Sequence, residues 1–186
     1  MADRKKLEQA ARLILEAIGE DPNREGLLET PRRFAEMIEE QMAYTTVSNE
    51  EIAREFGKTF SSSEEGPVVV KDISIFSHCE HHLALMYHMH VSVGYIPHGR
   101  VIGLSKVARI ADAVSRRLQI QERIGADIRN IIEKVTGSVD VIVRIDGEHS
   151  CMTARGIKKP GAVTTTISSS GKFNIPEYRQ LFKEML

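Results

Sequence analysis

Segments with strand character occur in two pairs along the chain, and two helical segments separate the pairs. The four strand segments are PVVVKDISIF (67–76), HMHVSVGYI (88–96), SVDVIVRID (138–146) and GAVTTTISS (161–169). β-Branched residues and alternating apolar positions are typical of half-buried strands. Helical periodicity covers about 105–117 and 121–135, and the second segment runs into Thr136-Gly137, a common helix end. This order predicts an α+β fold.

Helices are also predicted at both ends of the chain. Apolar residues over 7–18 recur at helical intervals, and Gly19 follows them. Thr30-Pro31 supplies an N-cap followed by proline for a helix to about residue 43, and Ser48 caps a third, shorter helix. The last helix is expected over 176–185.

Length and composition fit one globular domain. The chain has 186 residues, of which 41% are hydrophobic and 27% charged. We expect an N-terminal helical region at 1–60 packed on a core at 61–186. The net charge of −1 gives no overall field that attracts nucleic acid, so we expect no such partner, and no apolar run reaches the roughly 18 residues of a membrane span. We expect a cytoplasmic protein, in which its two cysteines stay reduced.

The stretch SHCEHH (77–82) concentrates side chains that bind metals and transfer protons. Cys79 and His82 have the two-residue gap with which a tight turn brings a thiolate and an imidazole to one cation, and this pair suits Zn²⁺. The same spacing also occurs where a buried cysteine simply lies beside surface histidines. The motif therefore needs support from elsewhere in the chain.

The other cysteine provides that support. Cys151 lies in Gly-Glu-His-Ser-Cys at the end of a predicted strand, and on an extended chain His149 and Cys151 would face the same way. If Cys79, His82 and Cys151 bind one zinc ion, the fourth tetrahedral position stays open to water, as in catalytic sites. A structural site would need a fourth ligand, for which the candidates are His78, His88, His90 and His149.

The remaining residues of the two motifs suit proton transfer and support. Adjacent residues rarely reach one ion together, so His81 is the expected proton carrier and His149 its partner. Glu80 is expected to orient a ligand histidine. His88 and His90 share a predicted strand face, where they would form a weak metal site or, more commonly, a solvated pair.

Four motifs in this order resemble those of the GTP cyclohydrolase I family. They are Cys79-Glu80-His81-His82, Gly103-Leu104-Ser105-Lys106, Gln121-Glu122-Arg123 and His149-x-Cys151-Met152-x-x-Arg155-Gly156. The similarity runs from about Thr30 to Phe173. It implies a tunneling fold, a toroidal homodecamer with active sites at subunit interfaces, and one zinc ion per site. It also implies conversion of GTP and water to 7,8-dihydroneopterin triphosphate and formate, the first step of tetrahydrofolate and pterin biosynthesis.

The resemblance assigns the site residues in three groups. The implied zinc ligands are Cys79, His82 and Cys151. The implied catalytic histidines are His81 and His149. The implied substrate-binding residues are Arg33, Ser105, Lys106, Arg109, Gln121, Glu122 and Arg155. Of these, Gln121 and Glu122 match guanine-recognition residues, the cations match phosphate-binding residues, and Arg33 would come from a neighbouring subunit.

The chemistry of the residues agrees with these assignments to different degrees. No phosphate-binding glycine loop of the G-x-x-x-x-G-K-[ST] type occurs, so side-chain cations must hold the triphosphate. Lys106 and Arg109 lie three apart near a helix N-terminus, which also favours an anion, although such a pair is ordinarily solvated surface charge. Glu122 could accept hydrogen bonds from both the ring N–H and the amino group of guanine.

One segment departs from the family pattern. The family has Pro-Phe soon after Cys-Glu-His-His, whereas this chain reads Leu-Ala-Leu-Met-Tyr over 83–87, and Tyr95-Ile96-Pro97 follows one residue late. This predicts a bulge or a loop insertion.

Two other functional classes compete with this assignment. A non-catalytic, zinc-stabilised nucleotide-binding module would use a fourth side chain as ligand. Another tunneling-fold enzyme could be a pterin synthase, expected to bind zinc through three histidines, or the deazaguanine nitrile reductase, expected to use a cysteine nucleophile with NADPH and no metal. Neither enzyme accounts for cysteines at both 79 and 151.

Overall fold

The structure, a computed structural model, describes residues 2–186, which form two compact units. The first unit ends at Thr46, and the second is Val47–Leu186. The division of the sequence into an N-terminal region at 1–60 and a core at 61–186 stays a prediction.

The first unit contains two helices, α1 (Arg4–Ala17) and α2 (Thr30–Gln41), which pack on each other. The Asp3 side chain accepts a hydrogen bond from a backbone N–H in the first turn of α1. Proline lies in the first turn of α2, as expected, but Glu29 and not Thr30 takes the N-cap position. Helix ends shift easily by one residue because the first turn lacks internal hydrogen bonds.

The second unit holds every predicted strand. Its helices are α3 (Asn49–Phe56), α4 (Leu104–Ser115), α5 (Gln121–Thr136), α6 (Ser150–Thr153) and α7 (Pro176–Met185). Its strands are β1 (Thr59–Ser61), β2 (Val68–Cys79), β3 (Ala84–Tyr95), β4 (Arg100–Ile102), β5 (Leu118–Gln119), β6 (Val141–His149) and β7 (Val163–Ser169). The α+β prediction is confirmed, as is the tunneling-fold order of strand pair, two helices and strand pair.

The strands form one main sheet with the order β5-β2-β3-β6-β7. All pairs are antiparallel except β2 with β5, and β1 and β4 form a separate two-stranded sheet. Ile145 of β6 lies close to Gly125 of α5, whereas Ile142 packs with Phe182 of α7. Residues three apart on a strand face opposite sides, so α5 and α7 cover opposite faces of the sheet.

The hairpin of β2 and β3 is longer than the sequence predicted. β2 continues to Cys79 and β3 begins at Ala84, so the histidine-rich motif occupies a strand end and the turn after it. The predicted irregularity in β3 is confirmed, because the register with β6 shifts between Tyr87 and His90. His88 lies within this shift with a φ of 47°. The regular alternation on which a shared face for His88 and His90 depended is therefore absent.

Candidate active site

The turn between β2 and β3 brings Cys79 and His82 together. The backbone N–H of Leu83 donates to the carbonyl of Cys79 over 3.0 Å, and Leu83 has a φ of 52°, which closes the turn tightly. The Glu80 N–H donates to the carbonyl of Gln119 over 3.0 Å, which fixes the turn to β5. The Cys79 Sγ consequently lies 3.8 Å from the His82 Nδ1.

Cys151 reaches the same place from another part of the chain. The expectation of an extended chain from His149 to Cys151 is wrong, because β6 ends at His149 and Cys151 lies in the four-residue helix α6. The Ser150 hydroxyl donates to the carbonyl of Leu85 over 2.6 Å and ties α6 to β3. The helix therefore directs Cys151 towards the turn.

Three ligand atoms converge at this point. The Sγ atoms of Cys79 and Cys151 and a ring nitrogen of His82 all lie within 4.8 Å of one another. Within residues 2–186, this group contains no fourth His, Cys, Asp or Glu. A sulfur at 2.3 Å and a nitrogen at 2.0–2.1 Å from one tetrahedral ion would be about 3.6 Å apart, close to the 3.8 Å between Cys79 and His82. The group fits a zinc ion with one position left for another ligand.

The surroundings of the thiols affect their protonation. Burial raises the pKa of Cys151, and the nearby Cys79 raises it further. Both cysteines are free thiols. A bound cation would have the opposite effect on the thiols, because metal ligation requires the thiolate and releases its proton.

His82 also contacts one of the residues predicted to bind the substrate phosphates. Its Nε2 accepts a hydrogen bond from an Arg155 guanidinium N–H over 2.9 Å. Arg155 is thus placed next to the three-residue group. His81 is exposed in the turn, with its ring centroid 6.4 Å from that of His82.

His149 forms a hydrogen bond with Gln121. The His149 Nε2 lies 2.8 Å from the Gln121 Oε1. Burial lowers the pKa of His149, and the carboxylate of Glu122 acts in the opposite direction. Glu122, an exposed residue in the first turn of α5, is thus close enough to His149 for its charge to act on the imidazole.

Glu80 has a different partner from the one expected. Both of its carboxylate oxygens accept hydrogen bonds from Arg123, over 2.6 and 3.1 Å. These bonds lower the pKa of Glu80. The prediction that Glu80 orients a ligand histidine is therefore wrong: the carboxylate fastens the turn to α5. This role of Arg123 cannot be found from the sequence, because no local spacing links two residues 43 positions apart.

The predicted phosphate residues of α4 lie away from the three-residue group. Ser105, Lys106 and Arg109 are in the first half of α4, whereas Ser115 at its other end accepts a hydrogen bond from the Ser77 hydroxyl over 2.7 Å. Ten residues of helix extend about 15 Å. The end of α4 near Cys79 is thus the opposite one. Arg33 lies on α2 in the first compact unit.

His88 contacts the carboxylate of Glu148 and is not part of the three-residue group. Its Nδ1 lies 3.0 Å from the Glu148 Oε1, and the other oxygen of Glu148 accepts from Tyr87 and from the backbone N–H of Gly161. Tyr87 also hydrogen-bonds Thr153 of α6 over 2.9 Å. No sequence pattern indicates this cluster, which connects β3, β6 and the segment after α6.

The chain is similar to several known proteins. The family model of GTP cyclohydrolase I matches residues 7–186. GTP cyclohydrolase 1 of Clostridium acetobutylicum is 61% identical over 176 residues, covering 92% of this chain and 90% of that relative. The Clostridium beijerinckii protein of the same name is 59% identical over 177 residues, covering 92% and 90%. The crystal structure of the apo archaeosine synthase QueF-Like has a TM-score of 0.46 at 18% identity, over 59% of this chain and 96% of that one.

Proposed function

This chain belongs to the GTP cyclohydrolase I family, and from that premise we propose that its reaction depends on zinc held by Cys79, His82 and Cys151. The chain is an enzyme of this family, with GTP as substrate. We propose that it opens the guanine imidazole ring at C8, releases formate, rearranges the ribose and closes the ring to 7,8-dihydroneopterin triphosphate. The convergence of two thiols and one imidazole, contributed by two distant segments, carries the zinc assignment.

The donor set supports zinc over harder cations. Two sulfurs and one imidazole nitrogen suit a borderline-soft ion, and three protein ligands are typical of catalytic zinc. When bound there, zinc supplies Lewis-acid chemistry that activates water for attack at C8.

The two histidines supply the proton transfers in this proposal. His81 lies between the ligands Cys79 and His82 in the sequence, His149 lies two residues before Cys151, and neither belongs to the three-residue group. Because burial lowers the pKa of His149, its imidazole is neutral near pH 7 and able to accept a proton. His81 is exposed in the turn and can exchange protons with solvent or substrate. Between them they would protonate the ring nitrogen that leaves C8.

Glu122 is the proposed guanine contact. Its exposed carboxylate lies near His149 and can accept two hydrogen bonds from the ring N–H and amino group of guanine. Adenine lacks this donor pair, so the contact would select GTP over ATP. Arg155, next to His82, would bind the substrate phosphates together with Ser105, Lys106, Arg109 and Arg33.

We propose a homo-oligomer, a decamer by family resemblance, with shared active sites. Along α4, Ser105 and Lys106 lie about 15 Å from the end that contacts β2 near Cys79. Large apolar side chains are exposed around the turn and around the start of α4, and a partner would cover them. These are Leu83, Leu85, Met152 and Ile157 at the first place and Phe60 and Leu104 at the second. The phosphate-binding residues at the start of α4 in one copy would then complete the site around the metal ligands of its neighbour.

A cytoplasmic location is proposed on chemical grounds. Both ligand cysteines are free, and a reducing compartment keeps them available for the metal. Among residues 2–186, none of the helices has the length and apolar character needed to cross a bilayer.

The test is the reaction itself. Purified protein is incubated with GTP, and formate, pterin absorbance and zinc per chain are measured together. We expect stoichiometric formate and pterin, with ATP inert, and we expect Cys151→Ser to lose zinc and turnover together. A protein that binds zinc and GTP but releases no formate would be the nucleotide-binding module instead.

Shared sites have their own test. Cys151→Ser and Lys106→Ala subunits are each expected to be nearly inactive, and they are mixed in equal amounts under conditions that allow subunit exchange. If each site takes its two halves from different copies, about a quarter of the sites become intact and activity returns. Sites contained within one copy would stay inactive after mixing.

A further inference from the structure

Gln121 is buried and saturated with hydrogen bonds, which is unexpected for a residue that contacts substrate. Its side chain is 1% exposed. The amide nitrogen donates to the carbonyl of Ile145 over 3.0 Å and to the carbonyl of Thr164 over 2.9 Å, with the Thr166 hydroxyl at 3.2 Å. An amide has two N–H hydrogens, and the two carbonyls take both. The side chain of Gln121 therefore has no donor left for a guanine.

These contacts settle which way the amide points. Backbone carbonyls only accept hydrogen bonds, so the nitrogen of Gln121 must face β6 and β7. In the opposite orientation the Oε1 of Gln121 would face the carbonyl oxygens of Ile145 and Thr164, which repel it. The Oε1 therefore faces His149, whose Nε2 lies 2.8 Å away.

The orientation of Gln121 in turn determines the tautomer of His149. A carboxamide oxygen only accepts, so the Nε2 of His149 must carry the hydrogen in this bond. In a neutral imidazole the other nitrogen then has the lone pair. We propose that Gln121 is a positioning residue that holds His149 as the Nε2–H tautomer and makes Nδ1 the nitrogen that accepts protons in the reaction. The role of Gln121 in guanine binding that the family resemblance implied is replaced by this one.

A glycine in β6 provides the space that the Gln121 amide occupies. A Cβ on Gly147 would lie 3.2 Å from the Gln121 Oε1 and 2.9 Å from the Met89 Cγ. Glycine at this position of β6 thus leaves the space in which the oxygen meets His149. The sequence offers a matched comparison in Gln119, which is also 1% exposed. Its amide nitrogen donates to Val114 and Asp127 and makes no contact with His149.

The tautomer is measured directly by solid-state NMR of zinc-loaded protein labelled with ¹⁵N-histidine, with the His149 signals assigned by their loss in His149→Ala. We expect a protonated Nε2 and a bare Nδ1 in the wild type and in Gln119→Ala. In Gln121→Ala we expect a mixture of tautomers. Gln121→Met, which fills the volume without polar atoms, is the second variant in case the alanine variant is unstable. A wild type with hydrogen on Nδ1, or unchanged tautomers in both Gln121 variants, overturns the proposal.

Measurements of kcat, KM and GTP affinity distinguish a positioning role of Gln121 from a direct contact with guanine. For these measurements the inference rests on the proposed function. Gln121→Ala should lower kcat about 10- to 100-fold with KM within about threefold, whereas Gln119→Ala should not. In the His149→Ala background, where turnover is removed, adding Gln121→Ala should leave the Kd for GTP unchanged. A guanine contact would weaken binding about tenfold or more in that background, which overturns the proposal. If the wild type released no formate, the proposed function would fail while the NMR result still decided the role of Gln121.

Discussion

Metal removal should destabilise the chain strongly, and only when Cys151 is present. The three ligand atoms already lie within 4.8 Å of one another, so binding requires little rearrangement and its free energy appears as stability. With free zinc at about 1,000 times its Kd, this amounts to about 4 kcal/mol. For a chain of this size, 1 kcal/mol changes Tm by about 2–4 °C, so chelation should lower Tm by about 8–16 °C.

The role of Cys151 follows from where the ligands lie along the chain. Cys79 and His82 are three residues apart and stay close in the unfolded chain, whereas Cys151 joins them only in the fold. An ion that binds folded and unfolded chain equally has no effect on stability. In Cys151→Ser, zinc should therefore change Tm by less than about 2 °C.

Differential scanning calorimetry at fixed protein concentration, with zinc and with chelator, gives both shifts. Each variant is compared with itself, so the cost of the substitution cancels. A zinc-dependent shift in Cys151→Ser as large as in the wild type would contradict the three-ligand site.

Three further predictions concern turnover, pH and packing. His81→Ala should keep its zinc while turnover falls about 10²- to 10⁴-fold, as measured by metal content and formate release; full turnover would refute its catalytic role. Burial lowers the pKa of His78 and of His149, so the unfolded chain binds more protons than the folded chain once the pH falls below about 6.5. The stability should therefore be fully present above about pH 6.5 and be lost as the pH falls, which Tm measured from pH 8 to pH 5 should show. Phe182→Ala should cost about 3–5 kcal/mol in urea unfolding because this α7 ring is 2% exposed, whereas the exposed Leu181→Ala should cost little.

The parts of the fold that were predictable are those governed by short-range spacing. Ser48 caps α3 through a capping box with Glu51, and Gly137 ends α5 in the left-handed conformation. The turn that joins Cys79 to His82 is likewise a local structure. In each case the physical cause lies within four residues, where sequence patterns carry the information.

The parts that were not predictable depend on contacts between distant segments. The strand alternation expected from His149 to Cys151 gave way to α6, because Ser150 bonds to the backbone of β3. Glu80 looked like a partner for a ligand histidine, yet Arg123 takes both of its oxygens. Propensity and spacing do not indicate which helix will lie beside a turn, so tertiary packing decides these roles.

The first turn of α5 connects the parts of the site. Successive helical residues point about 100° apart, so the first three side chains of α5 reach different partners. Gln121 contacts His149, and the exposed Glu122 acts electrostatically on the same histidine. Arg123 binds Glu80 in the turn that carries Cys79 and His82. This helix starts without a side-chain cap, because its N-cap residue is Ile120, whose side chain has no hydrogen-bond acceptor. A shift of α5 by one residue would move it about 1.5 Å and turn all three side chains away from their partners. The position of one helix end therefore links the histidine, the proposed guanine contact and the metal turn.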